Sequence, residues 1–245
     1  MAAVIELSPW DRYAIAGMAG TGKTLFATVL AFVLSAQFND RQRVVWVQTK
    51  DDPKDIARLI AWGFVRVKIE DLGRRTEPRQ FVFVKQKPGG LSVVDQIQRI
   101  CRWALKRKSV FLLLDEWAHG VVSVQNAGDD LKNLHKVGRG LHAGIGGLTQ
   151  ELAFVPRQLF SQANHKILFR LDYGPDIKIA RELHPTYDPE QMDRYGFWHR
   201  WSEGFGAARR WYLYRDARDW LDRLGLAPLV YPVGDPGLDA VGASR

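Results

Sequence analysis

The chain has 245 residues, of which 46% are hydrophobic and 25% are charged, and its formal net charge is +8. A chain of this length can bury a full hydrophobic core without disulfide staples. The single cysteine, Cys101, excludes an intramolecular disulfide framework and a cysteine zinc cluster, so we expect a reducing, intracellular setting.

The basic residues are concentrated between residues 41 and 108, where 17 Lys and Arg stand against 7 Asp and Glu. A concentrated basic region indicates a polyanionic partner, with nucleic acid first, although ordinary solvated cations explain the same composition. Residues 1–6 lack the basic and apolar regions of a signal peptide, and the longest apolar run, 25–38, is too short to span a bilayer. We therefore expect a soluble protein without membrane insertion.

Strand-like and helix-like segments alternate along the chain, which predicts an α/β fold with a mainly parallel sheet and right-handed crossovers. The predicted strands are 13–16, 43–47, 80–85, 110–114, 141–149, 166–171 and 210–214. The predicted helices are 25–38, 51–61, 92–106, 129–137, 156–163 and 216–224. We predict a single domain over residues 1–227, whose part 184–227 is rich in aromatics and arginine, followed by a Pro/Gly-rich tail at 228–245.

The segment Gly17–Thr24 fits the pattern G-x-x-x-x-G-K-[ST] between a predicted strand and a predicted helix. In that context the glycines let the backbone curl so that its N–H groups point at phosphate oxygens, and the helix N-terminus favours negative charge. The pattern predicts nucleoside triphosphate binding, with Lys23 on the β/γ-phosphates and Thr24 on Mg²⁺. The predicted nucleotide contacts are Gly17, Gly20, Thr21, Gly22, Lys23, Thr24 and Leu25.

A second nucleotide-handling signal is the apolar run 110–114, which ends in Asp115 and Glu116. A carboxylate at the end of a central strand can hold Mg²⁺, and a second one beside it can polarise a water for attack on the γ-phosphate. Gln150 ends the next predicted strand, where a neutral donor and acceptor can contact both the γ-phosphate and the attacking water.

These motifs, together with residues 46–51 and 138–170, resemble the HerA–FtsK superfamily of DNA-pumping ATPases, over roughly residues 10–215. The resemblance implies a RecA-like P-loop NTPase core of the ASCE type, with strand order 5-1-4-3-2. It also implies a homo-oligomeric ring of six or five subunits, with ATP and Mg²⁺ as cofactors. In such a ring, ATP hydrolysis is coupled to the movement of double-stranded DNA.

By the same resemblance, Lys23 and Thr24 bind phosphate and Mg²⁺, and Asp115 supports the Mg²⁺. Glu116 is the catalytic base, and Gln150 is the γ-phosphate sensor. An arginine from the neighbouring subunit completes the site, and Arg139 matches best in position, with Arg157 and Arg170 as competitors. A plain helix-end cation is an equally good interpretation of Arg139.

A short chain without a membrane anchor, a DNA-reading domain or a long N-terminal barrel is most similar to the genome-packaging ATPases of tailless, membrane-containing viruses. We therefore predict a packaging motor in the host cytoplasm, or associated with the virion, that docks on a capsid vertex protein. The C-terminal aromatics serve either docking or packing against the core, and packing is favoured.

The alternatives are a conjugation, segregation or filamentous-phage-export motor of the same superfamily, and an assembly protein switched by ATP without translocation. A small-molecule kinase is disfavoured, because no lid or acceptor site is evident.

Overall fold

The structure is a computed structural model that describes residues 7–36, 43–86, 88–192, 196–201 and 209–212, the last four and Trp201 by backbone alone. The strands are β1 Arg12–Ala16, β2 Arg43–Gln48, β3 Val65–Val67, β4 Arg79–Phe83, β5 Val110–Leu114, β6 Ala143–Thr149, β7 His165–Phe169, β8 Gly196–Trp201 and β9 Arg209–Tyr212. The α-helices are α1 Lys23–Ala36, α2 Pro53–Ala61, α3 Val93–Arg107, α4 Asp129–Val137, α5 Arg157–Ser161 and α6 Gly174–Leu183.

The strands form one sheet in the order β3-β4-β2-β5-β6-β1-β7-β8-β9. The strands from β3 to β7 pair in parallel, and β8 and β9 add to the β7 edge in antiparallel fashion. When β1, β2, β5, β6 and β7 are numbered 1 to 5 along the chain, their order is 5-1-4-3-2. The predicted fold class is confirmed, and four further strands extend the core on its two sides.

Helices cover both faces of the sheet, so the central strands are apolar on both sides. Helices α1 and α2 pack on one face, against strand residues that include Tyr13, Trp46 and Phe111. Helices α3 to α6 pack on the other face, against residues that include Val45 and Leu112. None of the described helices combines the length and apolar character needed to cross a bilayer.

The predicted bounds of α4 and β5 agree with the structure, whereas β6 begins two residues later than predicted. Residues Gly138–Leu141 form a 3-10 turn before β6. Strands β3 and β8 and helix α6 were not predicted as elements. Phe197 on β8 is buried against Phe26 and Phe169, so packing rather than docking explains this aromatic. The predicted helix 216–224 and tail 228–245 lie outside the described residues.

Because β1, β2, β5, β6 and β7 run in the same direction, the segments that follow them meet at one edge of the sheet. In open α/β sheets, ligands bind at this carboxyl edge. The phosphate loop after β1, the Asp115-Glu116 pair after β5 and Gln150 after β6 all lie there.

Candidate active site

The phosphate loop is hydrogen-bonded to the strands on both sides of β1. The Gly17 amide donates to the Thr149 carbonyl at 3.2 Å, and the Met18 amide donates to the Arg170 carbonyl at 2.8 Å. Thr149 ends β6, and Arg170 directly follows β7. The start of the loop is therefore held by backbone contacts that do not depend on a bound nucleotide.

The loop curls at two glycines with left-handed backbone angles, φ 75° at Gly20 and φ 95° at Gly22. A side chain at either position would strain the backbone. Thr21 stabilises the curl because its hydroxyl donates to the Met18 carbonyl at 2.8 Å. The loop then enters α1, whose first N–H groups add a positive dipole end, and this combination suits an anion.

Lys23 is 7% exposed, and its ammonium donates to the Met18 carbonyl at 2.8 Å. Burial and, to a smaller extent, the nearby Lys50 charge lower the pKa of Lys23 to about 8, and Glu116 opposes both effects. The charges of Lys50 and Glu116 therefore both act on the pKa of Lys23. Thr24 and Leu25, the next residues of α1, are partly buried, and Leu25 packs against the core.

Asp115 is buried and bonded to the segment that follows β2. One carboxylate oxygen accepts from the Thr49 amide at 3.0 Å and from the Thr49 hydroxyl at 2.7 Å, and the other accepts from the Lys50 amide at 3.3 Å. Burial raises the pKa of Asp115, and the hydrogen bonds from Thr49 oppose that rise. The Thr49 hydroxyl also lies 2.7 Å from His119 Nδ1, so Asp115 anchors a small polar network.

Glu116 is 6% exposed, and one of its oxygens lies 3.3 Å from the Lys50 ammonium. Its other oxygen, Oε1, is buried and has no hydrogen-bond partner among the described residues. A buried carboxylate oxygen without a donor is costly, and such atoms in folded proteins commonly mark a place for water or an ion. Glu116 thus presents a free acceptor near Lys23.

A close packing contact lies one residue beyond Glu116. Trp117 is fully buried, and its indole lies directly over Gly147 on β6, where a Cβ atom would collide with the ring. The glycine at this position therefore makes room for the tryptophan that follows Glu116. This explains part of the small-residue composition of β6.

Gln150 is exposed and directly follows β6. The preceding residue, Thr149, accepts the Gly17 amide through its carbonyl and the Glu151 amide through its hydroxyl, at 3.2 Å in both cases. The backbone at Gln150 is thereby fixed to the phosphate loop. The structure brings Gln150 to the same edge of the sheet as Lys23 and Glu116.

Arg139 lies at the opposite edge, in the turn that precedes β6, and its guanidinium lies 3.4 Å from Asp11. Arg139 therefore does not reach the phosphate loop of its own chain. Of its competitors, Arg157 forms an ion pair with Glu182 on α6. Arg170 is exposed at the end of β7, beside the loop.

The donor set fits a magnesium ion bound together with phosphate. No group of three or more His, Cys, Asp or Glu that could hold a metal occurs among the described residues, so a dedicated protein cage is absent from that part of the chain. Mg²⁺ typically takes one or two carboxylates and keeps several waters besides phosphate oxygens. Asp115 retains one of its lone-pair positions, and the Thr24 hydroxyl lies at the start of α1, so these two residues can supply the protein ligands.

The residues that sequence reasoning missed are Thr49, Lys50 and His119. The sequence could in principle have predicted them, because the implied strand order places β2 beside β5. Polar residues that follow two neighbouring parallel strands lie close together. Val47 and Leu114 are in register across these strands, which brings Lys50 next to Glu116.

Solved structures are similar to this chain in fold, whereas the sequence comparisons found no match. No family model matches the chain, and no curated protein matches it. The genome packaging NTPase B204 from Sulfolobus turreted icosahedral virus 2, in complex with AMP, superposes with a TM-score of 0.64 at 13% identity, covering 83% of this chain and 98% of that chain. B204 from Sulfolobus turreted icosahedral virus, a DNA-packaging ATPase, gives 0.63 at 16% identity with the same coverage.

VirB4 of Thermoanaerobacter pseudethanolicus is also similar, with a TM-score of 0.59 at 12% identity over 86% of this chain and 92% of that chain. EssC from Geobacillus thermodenitrificans gives 0.57 at 10% identity and is covered over 43% of its length. At these identities the likeness concerns the fold. The chain thus has the fold of the B204 genome-packaging NTPase and of VirB4, which confirms at that level the resemblance predicted from its motifs.

Proposed function

We propose that this chain is an ATP-hydrolysing motor that translocates double-stranded DNA, and that it packages a viral genome into a preformed capsid. The observation that carries the proposal is the meeting of Lys23, Glu116 and Gln150 at one edge of the sheet. The fold shared with B204, which covers 98% of that protein, gives the site its context.

The phosphate loop supports triphosphate binding. Its backbone curl at Gly20 and Gly22 and the start of α1 direct N–H groups at one region, and Lys23 supplies a cation there. The Lys23 ammonium donates to the Met18 carbonyl. When a nucleotide binds, the charged β- and γ-phosphate oxygens would take the place of this neutral acceptor. B204 structures in complex with AMPPCP and ATP-gammaS have the same fold.

The Glu116 carboxylate supports hydrolysis rather than binding alone. Its unpartnered Oε1 can accept the proton of an attacking water, while Lys50 holds the other oxygen and fixes the side chain. Gln150 orients the same water and the γ-phosphate. Mg²⁺ held by Thr24 and Asp115 supplies charge neutralisation on the phosphate oxygens when bound.

The position of Arg139 at the far edge suits an arginine that acts on the neighbouring subunit. Such a residue neutralises transition-state charge only when subunits are assembled, which couples hydrolysis to ring formation. We therefore propose a ring of six or five copies, with Arg139 as the trans arginine and its Asp11 pair as the contact that orients it.

The DNA part of the proposal is supported by the basic region at residues 41–108. At the carboxyl edge, the segments after β3 and β4 line a cleft of about 790 Å³ that contains four cations and three carboxylates: Arg66, Lys68, Arg75 and Lys85 with Asp51, Glu70 and Asp71. Helix α3 exposes Arg99, Arg102 and Lys106, of which Arg102 is bonded to Asp130. Either surface can contact DNA phosphates, and solvated cations remain the competing interpretation for α3.

A conjugation, segregation or export motor is the second candidate, favoured by the likeness to VirB4. Capsid genes beside the gene for this chain would support packaging and docking on a capsid vertex, whereas relaxase genes would support conjugation. A third candidate, an ATP-switched assembly protein, would bind nucleotide tightly without turnover.

The test is ATP hydrolysis by the purified chain with and without double-stranded DNA, read alongside the oligomer mass. We expect hydrolysis by a ring, stimulation by DNA, and no turnover in the Lys23→Ala variant. Absence of hydrolysis under every DNA condition would reject the motor. Hydrolysis by a monomer would reject the assignment of Arg139 as a trans residue.

A further inference from the structure

The edge of the sheet opposite the phosphate loop, here termed the amino edge, carries a row of positive charge. The parallel strands begin at this edge, and antiparallel β8 ends there. Seven of these strands have cations at the amino edge: Arg79 on β4, Arg43 on β2, Arg107 and Lys108 before β5, Arg139 before β6, Arg12 on β1, Lys166 on β7 and Arg200 on β8. The carboxylates of the same described segments are Asp11 and Glu77, so this edge is strongly basic.

The cations of the amino edge act on one another. Burial and, to a smaller extent, the Arg107 charge lower the pKa of Arg43, and Glu77 opposes them. Burial and the charges of two arginines on the neighbouring strands β8 and β1 lower the pKa of Lys166 to about 8. Like charges therefore repel one another along this edge, and a negatively charged surface that covered it would relieve the repulsion.

The carboxyl edge of the same chain carries the complementary charge. Strands β2, β5, β6 and β7 have a cation at their start, and carboxylates follow their ends: Asp51 and Asp52, Asp115 and Glu116, Glu151, and Asp172. Four of these six carboxylates are exposed. Cations also lie at this edge, and two of them, Lys50 and Lys85, pair with Glu116 and Asp51. Strand β1 is followed by the phosphate loop instead, where a bound triphosphate would supply the negative charge.

We propose that the amino edge of one copy docks on the carboxyl edge of the next copy, and that the opposite charges of the two edges hold the copies together. The inference rests on the proposed ring and names the surfaces that form it. The contact is heterologous, because two different patches meet, and such contacts generate rings when the rotation closes. Charge complementarity also fixes the orientation of the two partners.

A second copy suits this surface better than DNA, although both are negatively charged where they would meet it. The chain itself carries the complementary edge, at the other end of the same strands. Arg139 lies in the middle of the basic row, between the starts of β5 and β1, so this docking brings it towards the phosphate loop of the next copy. DNA bound along the amino edge would instead cover Arg139.

Two properties of the assembly follow from this charge pattern. Salt should weaken it, because exposed charges are screened as the ionic strength rises. A bound triphosphate should strengthen it, because the phosphates complete the negative charge of the carboxyl edge after β1.

The test reverses two exposed charges on one edge at a time. The amino-edge variant is Arg107→Glu/Lys108→Glu, and the carboxyl-edge variant is Glu151→Lys/Asp172→Lys. Association is measured by analytical ultracentrifugation with Mg²⁺ and AMPPCP, from about 50 to about 500 mM NaCl. We expect each variant alone to associate at least about tenfold more weakly than the wild type at low salt.

An equimolar mixture of the two variants gives the sharpest result. It contains one intact pair of edges, namely the carboxyl edge of the first variant and the amino edge of the second. The mixture should therefore form dimers at wild-type affinity, whereas each variant alone stays monomeric.

The matched control is Lys132→Glu/Lys178→Glu, which makes the same change in net charge at exposed positions of α4 and α6. This control should assemble like the wild type. AMPPCP binding by each variant, measured by calorimetry, shows that its monomer is folded. The neutral pairs Arg107→Gln/Lys108→Gln and Glu151→Gln/Asp172→Asn replace a reversal variant that does not fold, and they should give a smaller loss in the same direction.

The inference is overturned if both edge variants assemble like the wild type, or if their mixture associates no better than either variant alone. An amino-edge variant that assembles normally and loses DNA binding would assign this edge to DNA instead. A wild type that hydrolyses ATP and stays monomeric at every salt concentration would overturn the inference together with the proposed ring. A wild type that forms a ring but fails to hydrolyse ATP would reject the proposed motor and leave the docking of the edges standing.

Discussion

The protonation of Lys23 gives a quantitative test of the phosphate site. Burial and the Lys50 charge lower the pKa of Lys23 to about 8, and only the charged ammonium can bind phosphate. Raising the pH from 7 to 9 is the perturbation, and nucleotide affinity is the quantity that responds. The terminal phosphate of a nucleotide is already ionised above pH 7, so the change in this range belongs to the protein.

The size of the effect follows from the pKa. At pH 7 about nine tenths of the Lys23 side chains are protonated, and at pH 9 about one tenth, so the Kd for ADP should rise about tenfold. A Lys23→Arg variant should lose most of this pH dependence, because a guanidinium stays charged throughout.

Two neighbouring charges should move this pH dependence in opposite directions. Lys50 lowers the pKa of Lys23, so Lys50→Met should raise that pKa and shift the loss of binding to higher pH. Glu116 raises the pKa of Lys23, so Glu116→Gln should shift the loss to lower pH.

The assay is calorimetric titration with ADP at pH 7, 8 and 9 at constant ionic strength. A Kd that stays constant between pH 7 and pH 9 would refute the reasoning. A Lys23→Arg variant that loses affinity as steeply as the wild type would refute it as well.

Three further outcomes follow. Glu116→Gln should keep ADP binding at pH 7 and lose ATP turnover by about 10²- to 10⁴-fold in a phosphate-release assay, since it removes the proposed water-activating base. Gly147→Ala should lower the unfolding free energy and turnover together, because the new Cβ displaces Trp117 beside Glu116, and urea titration with the same turnover assay measures both. Burial lowers the pKa of His135 to about 3, of His184 to about 4 and of His199 to about 3. Below pH 6.5 the unfolded chain therefore binds more protons than the folded chain. The unfolding free energy should accordingly fall by about 4 kcal/mol per pH unit between pH 6 and pH 4.5.

Each of these outcomes has a contrary result. Near-normal turnover in Glu116→Gln would remove the assignment of the base. A Gly147→Ala variant with wild-type activity would separate the packing of Trp117 from the site. A urea midpoint that stays constant from pH 7 to pH 5 would mean that the histidines are not buried as neutral groups.

The parts of the site that could be predicted from the sequence are formed by residues that are adjacent along the chain. Gly17–Thr24 is a continuous strand–loop–helix segment, and Asp115 and Glu116 directly end an apolar strand. Strand β5 is buried along its whole length, so its apolar run had one structural interpretation. Helix α4 was predictable from its acidic start and its apolar spacing.

The missed elements lack such patterns. Strand β3 has three residues, of which Val65 and Arg66 are exposed, so it shows no alternation of buried and exposed positions. Helix α6 begins at Gly174 and Pro175, residues that in a sequence indicate a turn as readily as a helix. The contacts of Lys50 with Glu116 and of Arg139 with Asp11 join residues 66 and 128 positions apart, and they depend on tertiary structure rather than local pattern.

Displacement of the third strand from a double-stranded DNA triplex tests the central claim most directly, because it reports movement along DNA rather than hydrolysis alone. The wild type should release the third strand at a rate that depends on ATP, and Glu116→Gln should bind the same DNA without releasing it. ATP hydrolysis by the wild type with no strand release above the Glu116→Gln background would contradict translocation and favour an ATP-switched assembly protein.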